Sequence, residues 1–186
     1  MKTQRGKLTQ KNTTTRLISR RISKHCPKEE RPSGKTIYLC PANYDIKIEQ
    51  DMLERDYIMR LIRQFFEALE KLKEEKATKP VETLQIDIHS MYRAYFRQPE
   101  SFFYEQDAEY ILSYLQTEFP EKEFLHRIEM LSDLLCYDAS IQQSPQERKI
   151  LYQKALFLMN YLDSHSDTFS FERRRKIAEI EGLIYQ

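Results

Sequence analysis

From Asp51 to Ala77 the chain reads DMLERDYIMRLIRQFFEALEKLKEEKA. Leu53, Tyr57, Ile58, Leu61, Ile62, Phe65, Phe66, Leu69 and Leu72 recur every three or four residues. Side chains at that spacing share one face of a helix, so this stretch predicts an amphipathic helix. The other face carries Arg60, Arg63, Gln64, Glu67, Lys71 and Glu74. Glu67 and Lys71 stand four apart in the favourable order, worth roughly 0.2–0.5 kcal/mol. Asp51 followed by Glu54 matches the acidic relative of a capping box. Acidic residues at the start and Lys71, Lys73, Lys76 and Lys79 at the end suit the helix dipole. Pro80 stops the run. A face this apolar has to pack on something, and the remainder of the chain supplies it.

The 186 residues allow one domain with a sizeable core. Charged residues make up 32% and there are only 3 Gly, which points to helices and away from a β-sandwich. No apolar run is long enough for a membrane span, and no secretory h-region follows the basic start. Cys26, Cys40 and Cys136 are odd in number and widely spaced, so they outline no disulfide framework. These features predict a cytoplasmic, reduced protein with no membrane partner.

The net charge of +1 conceals an asymmetry. Residues 1–50 hold 12 Lys+Arg against 4 Asp+Glu, a balance of +8; residues 51–186 hold 18 against 25, a balance of −7. All 10 Phe and ten of the 12 Tyr lie in the second part. Residues 1–50 therefore read as a basic extension too poor in apolar material to form a core. Three readings of it stay open. Lys2, Arg5, Lys7, Lys11, Arg16, Arg20, Arg21 and Lys24 could neutralise nucleic-acid phosphates. The segment could be a solvated tail. Or translation could begin at Met52, at the edge of the folded pattern, although that would remove the Asp51 cap. His25, Cys26 and Cys40 lack the paired short spacing and the fourth ligand of a structural zinc site.

Beyond Pro80 the helical period continues through Val81, Leu84, Ile88, Met91, Tyr92, Tyr95 and Phe96, and Pro99 ends it. Leu84, Ile86 and Ile88 also alternate like a strand, but the residues after them do not. Phe102, Phe103 and Tyr104 form an aromatic knot expected in a short turn that plugs the junction of two helical hairpins. Asp107 is set to cap a third helix with Ile111, Tyr114 and Leu115. Pro120 suits the first turn of a fourth, which carries Phe124, Leu125, Ile128, Leu131, Leu134 and Leu135. Ser144, Pro145 and Glu147 combine a cap, a proline at the first helical position and a capping-box acid. The fifth helix follows with Leu151, Ala155, Leu158, Met159 and Leu162. Asp163 to Asp167 reads as a polar turn, and a sixth helix starts near Phe169 with Ile177, Ile180 and Ile184. The prediction is an all-α domain over 51–186, with about six helices in antiparallel hairpins. They would form either a bundle or a short tetratricopeptide-like superhelix. The last hairpin has the size of a tetratricopeptide unit without its Trp, Gly and Pro markers.

Chemistry-bearing residues are sparse. Glu123 and His126 make a Glu-x-x-His on a helix, the spacing used in di-iron carboxylate bundles. A second such motif is missing, since His25, His89 and His165 have no Glu three before them. Glu129 could pair with His126 one turn on. No glycine-rich phosphate loop is present. Cys136 follows Leu134 and Leu135 and reads as a packed thiol. Asp87 and His89 fall on different helix faces. Arg173, Arg174, Arg175 and Lys176 form the densest cation cluster of the folded part, in the first half of a helix where the dipole disfavours them. Either they are a solvated face or they form a docking patch for an acidic protein or phosphate groups. No catalytic, cofactor or metal residues are assigned.

Two stretches, Glu54–Ile62 (ERDYIMRLI) and Thr168–Arg173 (TFSFER), resemble the opening and closing segments of a family of small bacterial helical proteins catalogued as a domain of unknown function. The resemblance covers roughly residue 52 to the end. It implies an all-helical, tetratricopeptide-like fold and a start near the first motif, and it implies no activity and no site residues. Together with the absence of a catalytic constellation, it leads to the expectation of a non-enzymatic protein-interaction module. The alternative is nucleic-acid binding through the basic arm. A metal-dependent enzyme at Glu123 and His126 comes third.

Overall fold

The computed structural model describes residues 42–184. Internal contacts divide the chain into two units, Met1–Glu54 and Arg55–Gln186. The described residues form seven helices and no strand: α1 Ala42–Glu75, α2 Val81–Phe96, α3 Glu100–Glu105, α4 Ala108–Glu118, α5 Glu121–Ile141, α6 Pro145–His165 and α7 Phe171–Ile184. The all-α class is as the periodicity predicts. Of the basic extension read over residues 1–50, residues 42–50 are helical as the opening of α1, so helix begins before the expected boundary at 51; residues 1–41, with His25, Cys26 and Cys40, lie outside the described residues.

Two local expectations are corrected. Asp51 lies well inside the 34-residue α1, so it is not a helix cap; the acidic pair Asp51 and Glu54 is part of a longer helical run. Phe102, Phe103 and Tyr104 sit in α3, a six-residue helix, and not in a turn. Proline sets this up: Pro99 precedes α3 with an extended backbone, as Pro80 and Pro120 precede α2 and α5. Each is the residue before its helix, where the missing N–H costs nothing, so Pro120 stands one step ahead of the expected first turn.

Other boundaries follow side-chain caps. Asp107 Oδ1 accepts from the Tyr110 N–H at 2.8 Å to open α4. Ser144 Oγ accepts from the Glu147 N–H at 3.4 Å, with Pro145 opening α6. Ser170 Oγ accepts from the Arg173 N–H at 3.2 Å and fixes the start of α7. Arg97 ends α2 in the left-handed region, φ 59°.

Within the unit Arg55–Gln186, α5 is the central helix. It packs most extensively on α6 and also meets α2 and α4, while α6 in turn meets α7. Its buried residues, among them Phe124, Ile128, Leu131, Leu134, Leu135 and Ile141, cover more than one face. A helix surrounded in this way makes the unit a bundle around α5. The stripe of α1 contributes Ile58, Phe65, Leu69 and Leu72 to the core, with Leu61, Ile62 and Phe66 partly covered. Leu53 and Tyr57, expected on the core face, are exposed. Phe65 meets Tyr95 edge-on at 5.1 Å and Phe96 at 6.2 Å, which seats α1 against α2. In α2, Leu84 and Ile88 are buried and Ile86 is exposed, so the apparent alternation is one helical face broken by an outward residue. The buried isoleucines Ile177, Ile180 and Ile184 join Met159 in a smaller cluster that holds α7 on α6.

Candidate functional site

The four clustered cations of α7 do not act as one patch. Arg173 and Lys176 turn inward; Arg174 and Arg175 stay largely exposed. Lys176 Nζ donates to both oxygens of Asp133 on α5, at 3.1 and 2.8 Å, and reaches Glu172 at 3.4 Å. Its pKa is raised: burial opposes the charge, and the Asp133 and Glu172 carboxylates outweigh that cost. Arg175 pairs with Glu179 on its own helix at 3.5 Å. Arg174 pairs with Asp163, and Arg173 Nη1 stands 3.6 Å from the same carboxylate. Asp163 belongs to the last turn of α6 and not to a polar turn. It places a carboxylate where the N-terminus of α7 and two arginines need one, which accounts for cations at that end of a helix.

Arg173 remains incompletely satisfied. Only 8% of it is exposed, and its buried Nε and Nη1 have no hydrogen-bond partner. It lines a cleft of about 480 Å³ bordered by α1, α5, α6 and α7.

A second polar cluster lies inside the bundle. Asp138 of α5 is 0% exposed and accepts from Tyr92 Oη at 2.9 Å, Tyr104 Oη at 2.7 Å and Gln142 Nε2 at 2.8 Å. Burial pushes its carboxyl above the ordinary value, and the three hydrogen bonds hold it back down in part. Burial beside this carboxylate raises both tyrosine hydroxyls strongly. Phe103 stacks on Tyr92 with ring centroids 4.9 Å apart. Nearby, the buried Lys154 of α6 donates to the carbonyls of Phe103 at 2.8 Å and Tyr104 at 2.7 Å, and burial lowers its pKa. The cluster therefore joins α2, α3, α5 and α6. Its acidic and phenolic oxygens are consumed by one another, which makes it a structural tie.

The remaining candidates resolve individually. Glu123 accepts from Arg127 Nε at 3.1 Å and Nη2 at 2.7 Å in a buried pair. Arg127 also donates to the Tyr95 carbonyl at 2.6 Å and lies over the Phe119 ring at 4.4 Å. Within the Glu-x-x-His pair the Glu123 carboxylate serves Arg127, while His126 is exposed. No group of three or more His, Cys, Asp or Glu suited to a metal occurs among the described residues. Asp87 pairs with Lys79 at 3.1 Å and His89 faces Glu100 at 3.6 Å, so the two serve different partners. Cys136 is half-buried and its thiol is pushed up to about 12, chiefly by burial.

Sequence reasoning missed Asp138, Gln142, Arg127 and Lys154. Asp138 carried a usable signal. It sits three and four residues after Leu135 and Leu134, at a position the α5 core stripe would fill, and a charged residue there needs buried partners.

Several apolar side chains among the described residues point outward, Leu53, Ile86 and Leu183 among them. Phe169 and Phe171 flank the α7 cap, 67% and 82% exposed, with their rings edge-on at 4.8 Å. Arg174 lies over Phe169 at 5.9 Å. No helix among the described residues is long and apolar enough to cross a membrane. No family model matches the chain, and neither the curated proteins nor the solved structures contain a significant match.

Proposed function

We propose that this chain is a non-enzymatic helical module that binds another protein, working in the cytoplasm. The observation that carries the reading is the pair Phe169 and Phe171, held outward at the start of an ordered helix. Covering a phenylalanine side chain is worth roughly 1.5–3 kcal/mol, so two exposed rings on a fixed cap offer a strong anchor to a partner. The resemblance of Glu54–Ile62 and Thr168–Arg173 to a small bacterial helical family belongs to this proposal, and the second of those stretches contains both rings.

Affinity capture from the native host, run in parallel with the wild type and a Phe169→Ser/Phe171→Ser variant, tests it. The expected result is a partner retained by the wild type and lost by the variant at unchanged thermal stability. Equal recovery by both would remove the aromatic pair from the mechanism.

The second reading, nucleic-acid binding through residues 1–50, rests on their balance of 12 Lys+Arg against 4 Asp+Glu. It predicts affinity that falls steeply with salt and is lost in a chain beginning at Met52. Salt-insensitive binding, or equal binding by both chains, would sink it.

A further inference from the structure

A second cleft, of about 330 Å³, is lined from the end of α1 and from α5, α6 and α7. Much of its wall is apolar: Cys136 and Tyr137 come from α5, Tyr152 from α6, and Ile180 and Leu183 from α7. Leu183 is 56% exposed, so part of this wall faces water.

The charges around the cleft differ in what they are already bound to. Lys73 pairs with Glu70 at 2.6 Å and Lys176 with Asp133 at 2.8 Å, while Glu179 meets Arg175 at 3.5 Å. Lys76, in the turn after α1, has no carboxylate partner among the described residues. Its Nζ donates to Ser140 Oγ at 3.0 Å and to the Ser140 carbonyl at 3.2 Å. Ser140 Oγ itself donates to the Tyr137 carbonyl at 2.7 Å, so a lone pair is left for the ammonium. Lys76 thus spends two N–H groups on neutral oxygens and keeps a third. The side chain is exposed, so a ligand in the cleft can reach it.

An ammonium steadied by neutral acceptors keeps its charge available to an anion, and a charge-assisted bond is the stronger kind. One donor and one uncompensated charge suit a monoanion. A dianion such as phosphate would meet the carboxylates of Asp133 and Glu179 on the same lining, and it would leave the apolar wall uncovered. An alkyl chain covers that wall, and the volume falls in the usual range for small-molecule sites.

We infer that this cleft binds a medium-chain monocarboxylate, with its head on Lys76 and its alkyl chain along Tyr152, Ile180 and Leu183. Neither Phe169 nor Phe171 lines the cleft, so this small-molecule site goes beyond the protein-binding reading.

Titration calorimetry on the full chain tests it with butyrate, hexanoate, octanoate, octanol (which lacks the carboxylate) and inorganic phosphate. Octanoate is expected to bind most tightly, with a gain of about threefold per added methylene along the acid series. Octanol should be weaker than octanoate by at least about tenfold, and phosphate should give no heat. Lys76→Gln should weaken octanoate by at least about tenfold, to the level of octanol. Leu183→Asp should also weaken octanoate and flatten the dependence on chain length. Both side chains are exposed, so neither change disturbs the core. Absence of heat with octanoate would overturn the assignment. So would equal affinity for butyrate and octanoate, octanol binding as tightly as octanoate, phosphate binding in its place, or octanoate binding undiminished in either variant.

Discussion

Tyr92 donates to Asp138 across 2.9 Å at a point where neither side chain is exposed to solvent. The two residues are 46 positions apart, so this bond fastens α2 to α5 through the middle of the core. Tyr104 and Gln142 complete the shell.

Removing the acceptor should therefore be expensive. Asp138→Ala leaves two hydroxyls and an amide without their partner, and a cost of about 3 kcal/mol or more is expected. Asp138→Asn retains one acceptor oxygen and should cost less. Urea unfolding of the three proteins checks the order, and an alanine variant as stable as the wild type would contradict it.

The same carboxyl gives the fold a pH dependence with a defined sign. Its folded pKa is raised above the ordinary value of 3.8 by burial. The resulting stability is present in full below that ordinary value and is lost as pH rises through the folded one. The groups around it are Tyr92 and His89 from α2, Tyr104 from α3 and Gln142 just past the end of α5; a protonated His89 favours the ionised carboxyl and moderates the effect. The wild-type stability minus that of Asp138→Asn, measured from about pH 4 to about pH 7, should fall with rising pH. A difference that grows would reverse the assignment.

Glu123 and Arg127 form a pair whose loss is asymmetric. Taking away one member strands the other charge in a mostly buried position, with an expected cost of roughly 3–5 kcal/mol. Arg127→Met also deprives the Tyr95 carbonyl of its donor. The double change Glu123→Leu/Arg127→Met should recover part of the loss. A double-mutant cycle measures it, and additive losses would mean that the two residues are not coupled.

Cys136 should be unreactive in the folded protein. With its thiol pushed up to about 12, little thiolate exists near neutral pH. Alkylation by iodoacetamide should be slow until the chain is unfolded, and then rise sharply. Fast modification of the native protein would show that the thiol is open to solvent.

Much of the fold was legible because helices announce themselves through period and punctuation. The Ser144, Pro145 and Glu147 signal and the Asp107 cap both open helices where the residues indicate. The apolar positions read in α6 and α7 are the ones buried. The centre of the bundle was harder to find. The α1 stripe is apolar on one side and reads clearly, whereas α5 buries Glu123, Arg127, Ser132 and Asp138 along with its leucines. Those polar residues dilute the pattern, because their partners come from α2, α3 and their own helix. Six residues between prolines and turns gave α3 too little length for a period to show. In the candidate site, adjacency in sequence suggested one patch of four cations. The roughly 100° turn between successive helical residues instead sends Arg173 and Lys176 inward and leaves Arg174 and Arg175 outside.

The central position of α5 also separates short-range from long-range closures of the chain. The bond from Arg148 to the Gln142 carbonyl closes a span of 6 residues, whereas the bond from Tyr137 to the Leu72 carbonyl closes one of 65. The longer loop costs roughly 2 kcal/mol more in chain entropy. The shorter closure favours the α5–α6 hairpin over the docking of residues 55–75 of α1. Amide hydrogen exchange should show that stretch opening before α5, and equal protection of both would mean that the bundle closes in a single step.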